Sequence, residues 1–274
     1  MENASGAKLG GAALRSGAAT GILLVMLGWE SLSPRRPWTR PRLARRAGNI
    51  ALGVINGALV RLALGGAAAS AAAYAAGRGW GALALVEWPP WAEGAIAVAA
   101  LDVAVYAQHV AFHKIPPLWR LHRVHHTDLD VDTTTGLRFH PAEILLSALY
   151  KCAFVIALGA PAGAVVAFEA ILNGASLFNH GNVRISAGAD RALRFAVVTP
   201  DMHRIHHSDL RRETDSNYGF SISAWDRLFG TYRAAPERGW DRTILGVEGF
   251  DAARVGFARL FVQPFLQPFR RAEK

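Results

Sequence analysis

Leu118-Trp119-Arg120-Leu121-His122-Arg123-Val124-His125-His126 is the stretch on which the reading of this chain turns. It carries the spacing HxxHH. The same spacing returns at His203-Arg204-Ile205-His206-His207, and a shorter pair, His109 and His113, precedes both. All ten histidines of the 274-residue chain fall between positions 109 and 207, the other two being the isolated His140 and His180. At that frequency one chance copy of HxxHH is expected about 0.01 times, and two on the order of once in ten thousand.

Helical geometry gives the spacing its meaning. Residues four apart share a face, so His109 and His113 point the same way. Within HxxHH the first two histidines, three apart, are expected to share a face, while the third points about 100° away, toward a neighbouring metal. Two such boxes plus HxxxH therefore enclose two metal ions rather than one. Imidazole suits iron, zinc, copper and nickel, so ligand type does not choose among them. For His140 and His180 an ordinary polar role weighs as much as ligation. For the eight clustered histidines it does not, because imidazoles packed at ligand spacing repel once protonated. The HExxH pattern of zinc hydrolases is absent, and no box histidine is followed by glutamate, which disfavours hydrolysis.

Outward from the histidines, the composition points to a membrane. Hydrophobic residues make up 51% of the chain and charged residues 19%, and the mean hydropathy is +0.17. The single cysteine, Cys152, excludes an internal disulfide and cannot supply the four thiolates of an iron–sulfur cluster. A net charge of +9 would suit nucleic acid, but its placement argues against such a partner. Residues 34–47 hold six arginines and no acid between two apolar stretches, the pattern of a cytoplasmic loop under the positive-inside rule.

Residues 1–15 are small and polar, without the apolar core of a cleavable signal. Ala18 to Trp29 is marginal for a span; Gly48 to Gly77 is longer, interrupted by Arg61; residues 94–112 make the clearest crossing. Trp80, Trp88 and Trp91 in the intervening loop are grouped like an interfacial belt. Ile144 to Phe178 breaks at Gly159-Ala160-Pro161-Ala162-Gly163 and is expected to form a helical hairpin, tilted or dipping in, with both ends on the cytoplasmic side. Lys151, like Arg61, is expected to snorkel out of its apolar surroundings. Phe257, Leu260, Phe261, Phe265, Leu266 and Phe269 alternate with Arg254, Arg259, Arg270 and Arg271, as in an interfacial amphipathic segment kinked by Pro264 and Pro268. The expected fold is an all-α integral membrane helical bundle with a cytoplasmic histidine-rich helical cap. Its parts are N-terminal transmembrane helices and a basic loop (1–92), a catalytic domain (93–235) and a C-terminal amphipathic membrane-surface segment (236–274).

HxxxH, HxxHH and HxxHH do not stand alone. Arg138-Phe139-His140-Pro141-Ala142-Glu143, Phe178-Asn179-His180-Gly181-Asn182, Thr199-Pro200-Asp201-Met202 before the last box, and Trp225-Asp226-Arg227-Leu228-Phe229-Gly230-Thr231-Tyr232 accompany them. Together, over residues 95–235, they resemble the fatty acid hydroxylase/sterol desaturase superfamily, in its bacterial sterol desaturase-like branch. The resemblance implies a di-iron centre in a bacterial inner membrane, with O₂ as co-substrate and a lipid hydroxylated or desaturated. It implies ligation by His109, His113, His122, His125, His126, His203, His206 and His207, joined by His140 and His180. Some members carry a second HxxxH before the last box. Here Ser176 stands four residues before His180, so His140 becomes the candidate for the missing ligand. Asp102, two turns before His109, and Asp201, two residues before His203, are candidates for orienting imidazoles from behind.

An unactivated lipid C–H bond is neither acidic nor electrophilic, so side-chain acid–base chemistry cannot break it and metal-activated oxygen is needed. The chain has no G-x-G-x-x-G loop and no cluster of its own, which implies an electron donor of ferredoxin or cytochrome type, steered by the basic face. Ether-lipid (alkylglycerol-type) monooxygenation and carotenoid hydroxylation are the alternatives within oxygen chemistry. A non-catalytic metal-binding or metal-transport membrane protein is the alternative outside it, and would spread its histidines and acids through the spans.

Overall fold

The computed structural model describes residues 17, 19–39, 41–65, 67–250 and 256–266. Expectations placed on residues 1–15, Ala18, Arg40, Arg254, Pro268, Phe269, Arg270 and Arg271 lie outside the described residues.

Each apolar stretch becomes a helix bounded by proline or glycine. Helix α1 is Ala19–Leu32. α2 (Arg42–Leu64) stops at Gly65, whose positive φ of 59° lets its N–H cap the Arg61 carbonyl, and α3 (Ala67–Arg78) follows. α4 (Pro90–Lys114), α5 (Pro116–His126) and α6 (Pro141–Leu158) each open on a proline, whose missing N–H costs nothing in a first turn. α7 (Ala162–Asn179) completes the hairpin begun by α6. Arg42–Leu85, Pro90–Lys114, Pro141–Leu158 and Ala162–Asn179 are long and apolar enough to cross a membrane. The chain is an all-α, multi-span membrane helical bundle, with only isolated β-bridges among the described residues.

Small residues set the spacing of the spans. Ala68 and Ala72 of α3, Ala97 and Leu101 of α4, Val155 of α6, and Val165 and Phe168 of α7 form one buried cluster. Alanines let the backbones approach closely enough for dispersion to act where no water drives association. At the end remote from the histidines, a Cβ on Gly81 would lie 2.1 Å from the Gly159 nitrogen. Only glycine lets the Trp80–Trp88 loop seat against the hairpin tip.

Two charged features differ from expectation. Lys151 does not snorkel: its ammonium donates to Glu169 on α7 at 2.8 Å, closing an ion pair across the hairpin. A partner one helix away is the cheaper solution for a charge in low dielectric. The arginine loop is not merely solvated. Arg45 binds Asp128 at 2.8 Å and also Asp132; Arg46 reaches Asp132 at 2.8 Å and Glu30 at 2.7 Å; Arg36 donates to the Thr243 carbonyl at 2.8 Å. The acids following the first HxxHH box are thus matched to these arginines. Burial alone would raise the Asp128 carboxyl, but Arg45 and Arg138, with hydrogen bonds from Thr135 and Asn49, hold it below its ordinary value.

The remaining elements cap the bundle on this side: α8 (Ala187–Leu193), α9 (Pro200–His206), α10 (Arg211–Thr214) and α11 (Ala224–Leu228). The described C-terminal stretch, with α12 (Arg259–Val262), packs on α5 rather than lying free. Leu260 is buried against Leu52 and Val124, and the Arg123 guanidinium donates to the carbonyls of Gln263 (2.7 Å) and Leu266 (2.5 Å). Phe257 and Phe265 stay exposed on its outer side.

Candidate metal centre

Four helix carboxyl ends converge beneath the cap. His109 and His113 lie in the last two turns of α4, His122 just before and His125 and His126 within the last turn of α5, and His180 is the residue that ends α7. α9 begins at Pro200 with the Thr199 hydroxyl accepting from Met202 N, carries His203 and His206, and ends at His207. Unsatisfied carbonyls make a helix carboxyl end partly negative, so four of them aimed at one volume favour cations there.

The side chains form two groups whose nitrogens lie within 4.8 Å of one another: His109, His113, His122, His126 and His206, and His125, His180, His203 and His207. All nine are buried. This corrects the expected division of the HxxHH boxes. The histidines that share a group are the first and third, four apart (His122 with His126, His203 with His207), and the middle one crosses to the other group. The reason is angular: four residues leave about 40° between side chains and three leave about 60°, so at the end of a short helix the i,i+4 pair converges better. α5 and α9 each contribute to both groups.

Tautomers follow from the acceptors behind each ring. His109 Nδ1 lies 2.7 Å from the Tyr218 carbonyl, His180 Nδ1 2.6 Å from that of Ser176, and His206 Nδ1 2.7 Å from that of Ser216. His122 Nδ1 lies 2.6 Å from Glu143 Oε1. A carbonyl or carboxylate only accepts, so in these four rings Nδ1 carries the proton and Nε2 presents a lone pair. The consequence is a conflict. His109 Nε2 faces His122 Nε2 at 3.1 Å, two lone pairs in the neutral rings. His180 Nε2 lies 3.0 Å from the Nε2 atoms of both His125 and His203, and His206 Nε2 is buried with no partner at all among the described residues. Converging lone pairs repel and orphaned buried nitrogens are costly. A cation between them resolves both, and the donor set fits two metal ions.

The electrostatics agree. Burial first, then the neighbouring imidazoles, hold His125, His126, His203 and His207 well below the ordinary histidine pKa. Burial lowers His180 to about 4 and His206 to about 3. All are neutral at pH 7, the form that ligates. Aromatic rings close the space: Phe139 stacks on His125 at 4.4 Å, Trp119 lies beside His113 and His126, and Phe220 faces His109 and His203, one ring from each group.

His140 belongs to neither group. It is the N-cap of α6, its Nδ1 accepting from Ala142 N at 3.1 Å, and its Nε2 lies 3.1 Å from the Phe261 carbonyl. Both nitrogens are taken up in joining α6 to the C-terminal segment, and His180 completes the second group without it. Asp102 and Asp201, the candidates for orienting imidazoles, hydrogen-bond other groups instead. Asp102 accepts from Trp225 Nε1 at 2.8 Å and Ile222 N at 3.2 Å, tying α4 to the segment that carries Phe220. Asp201 pairs with Arg35 at 3.2 Å and with Arg204, whose guanidinium also donates to the Gly181 carbonyl. The contact that sequence reasoning left without a role is Glu143, although the HPxE element contained it. The carbonyls of Ser176, Ser216 and Tyr218 had no signal, since every residue carries one.

The fatty acid hydroxylase family model matches residues 94–231, half of the chain. The chain belongs to the fatty acid hydroxylase/sterol desaturase superfamily. Among curated relatives, the ornithine lipid hydroxylase OlsE of Rhizobium tropici is 29% identical over 189 residues, 68% of this chain and 54% of its own length. Alkylglycerol monooxygenase of Homo sapiens is 27% identical over 162 residues, 59% of this chain and 35% of its own. Very-long-chain aldehyde decarbonylase GL1-1 of Oryza sativa subsp. indica is 28% identical over 174 residues, 58% of this chain and 28% of its own. The chain therefore spans about half the length, or less, of these relatives. No solved structure matches it.

Proposed function

We propose that this chain is a membrane-bound di-iron oxygenase that uses O₂ to hydroxylate or desaturate a lipid. The observation that carries the proposal is the pair of buried imidazole groups whose ring nitrogens converge where α4, α5, α7 and α9 meet. The ligands assigned are the nine histidines of the two groups. Two iron ions bound there supply the redox chemistry that breaks an unactivated C–H bond.

The chain's own residues do the rest. Glu143 and the carbonyls of Tyr218, Ser176 and Ser216 fix four ring orientations, so the ligand geometry exists before substrate arrives. Phe139, Phe220 and Trp119 keep bulk water from the centre, protecting reactive species from side reactions. Burial and the nearby charge of Asp215 push the Tyr218 phenol well above its ordinary pKa, so its ring stands beside His113 and His206 as a protonated, uncharged wall.

The substrate enters from the bilayer with its reactive carbon beneath the histidines. Electrons come from a ferredoxin- or cytochrome-type protein at the membrane face nearest the histidines. That face is cytoplasmic, on the strength of the arginine-rich segment after α1. The relatives' names favour oxygen insertion into polar lipids: an ornithine lipid hydroxylase and an alkylglycerol monooxygenase. Cleavage of an ether lipid is therefore the second reading, since insertion next to an ether oxygen uses the same oxidant. The test is the detergent-purified chain, grown with iron, assayed for metal content and for ¹⁸O incorporation from ¹⁸O₂ into a lipid panel with a reduced ferredoxin. Two irons and labelled hydroxyl in a lipid are expected. Stoichiometric zinc despite abundant iron would overturn the reading.

A further inference from the structure

A cavity of about 870 Å³ includes Asp201, from the first turn of α9, in its wall. Five arginines line it: Arg35, Arg184, Arg191, Arg194 and Arg227. Two are neutralised, Arg35 by Asp201 and Arg194 by Asp190. Among the described residues Arg184, Arg191 and Arg227 have no carboxylate in salt-bridge contact, and Asp241 is the one other acid in the wall. Arg227 is held in place by the Ser223 carbonyl and hydroxyl, over the Tyr232 ring at 4.2 Å. A concave site with a surplus of guanidinium groups suits an oxyanion.

Its position says which oxyanion. Arg184 lies five residues beyond the end of α7, which is long and apolar enough to span, and Arg35 three beyond the shorter apolar helix α1, so the cavity wall follows directly on the ends of apolar helices. Apolar side chains adjoin it. Phe195, itself a wall residue, is 76% exposed, and Leu193, Val197, Leu228 and Phe229, each within two residues of a wall residue in sequence, are exposed as well. This patch is fastened to a spanning helix: Phe229 stacks on Tyr106 of α4 at 5.3 Å, and Trp225 binds Asp102, about 10 Å along α4 from His109. The patch also leads to the centre. Val198 N donates to the Ser221 carbonyl and Ser223 N to that of Ala196, pairing the exposed strip with the segment whose Phe220 ring touches both histidine groups.

We infer that this cavity is the headgroup site for the lipid on which the enzyme acts, taking a phosphate or carboxylate on Arg184, Arg191 and Arg227 while the chain crosses the Phe195–Val197 strip toward Phe220. The inference rests on the oxygenase reading for the identity of the lipid as substrate, and on geometry for the site itself. It makes the substrate an anionic or zwitterionic polar lipid rather than a sterol or a carotenoid. It also explains why so exposed an aromatic as Phe195 sits between arginines.

The test is binding, with iron content read on the same samples. Full-length protein in neutral detergent is titrated with fluorescent phosphatidylglycerol and fluorescent diacylglycerol, and inorganic phosphate is added as competitor. Arg184→Gln/Arg191→Gln changes two exposed side chains. Phosphatidylglycerol is expected to bind roughly tenfold more tightly than diacylglycerol, and the double variant to lose that preference with its iron unchanged. Phe195→Ser is expected to weaken both lipids alike. Equal binding of the two lipids, or an undiminished preference in the double variant, overturns the inference. Displacement by inorganic phosphate at lipid-equivalent concentration overturns it too, because the site would then serve a free anion. A headgroup preference without bound iron would sustain the site and sink the oxygenase reading; two irons without a preference would do the reverse.

Discussion

Removing the Glu143 carboxylate tests the logic of the metal centre most sharply. Glu143 is buried in the first turn of α6, and its Oε1 is the acceptor 2.6 Å from His122 Nδ1. In Glu143→Ala the buried His122 N–H loses that partner. An unsatisfied buried donor costs about 1–3 kcal/mol. At about 1.4 kcal/mol per decade, that corresponds to roughly ten- to a hundredfold weaker binding at the group containing His122, the range usual for the loss of a residue that orients a ligand. The other group keeps its orienting contact at Ser176 and is expected to hold its metal. Glu143→Gln retains an acceptor and is expected to lose less than about tenfold. The assay is stepwise removal of iron by a chelator, followed by elemental analysis and Mössbauer spectra, with thermal melting as a control for folding. Wild type should release its metals in close succession, and Glu143→Ala should give up one at a much lower chelator concentration. Unchanged release, or parallel weakening of both ions in a variant that melts normally, would refute the reasoning.

Three further outcomes follow from the same geometry. His206→Ala and His126→Ala should deplete one ion, and His203→Ala and His125→Ala the other, distinguishable by which iron signal survives; pairing of His203 with His206 in one spectral class would contradict the assignment. His140→Ala should keep both metals and lower stability by about 1 kcal/mol, the worth of an N-cap, read as a lower melting temperature. Acid should act on the metal-free protein through histidines whose folded pKa lies below the unfolded 6.5, at about 4 for His180 and about 3 for His206. Below pH 6.5 the unfolded chain takes up protons that the folded one refuses, so stability is full above 6.5 and falls with acidification toward pH 4, by up to about 1.4 kcal/mol per unit for each such group. A melting temperature flat between pH 7 and pH 5 would count against their burial as neutral bases.

Much of the architecture is legible in the order of the residues. The span at 94–112 and the break at Gly159–Gly163 are local matters of hydropathy and backbone permission, and the helices follow them; in Gly48–Gly77 the helix runs through Arg61 and stops at Gly65 instead. The histidine boxes were legible for the same reason, because ligand spacing on a helix is a property of a few neighbouring residues. Lys151 shows where such reading stops: its partner Glu169 is 18 positions away, and only the packing of α6 on α7 brings them together.

What the sequence determined by itself is the histidine boxes, the helical spans and the family. What only the tertiary structure decided is the allocation: which imidazole joins which group, that His180 completes the second group while His140 caps a helix, and that Arg45 and Arg46 hold Asp128, Asp132 and Glu30. The physical reason is separation along the chain. The two histidine groups form where the carboxyl ends of α4, α5, α7 and α9 meet, with partners up to 97 positions apart (His109 with His206). No local spacing rule can say which of two faces, three or four residues along a short helix, will meet a ring arriving from so far away.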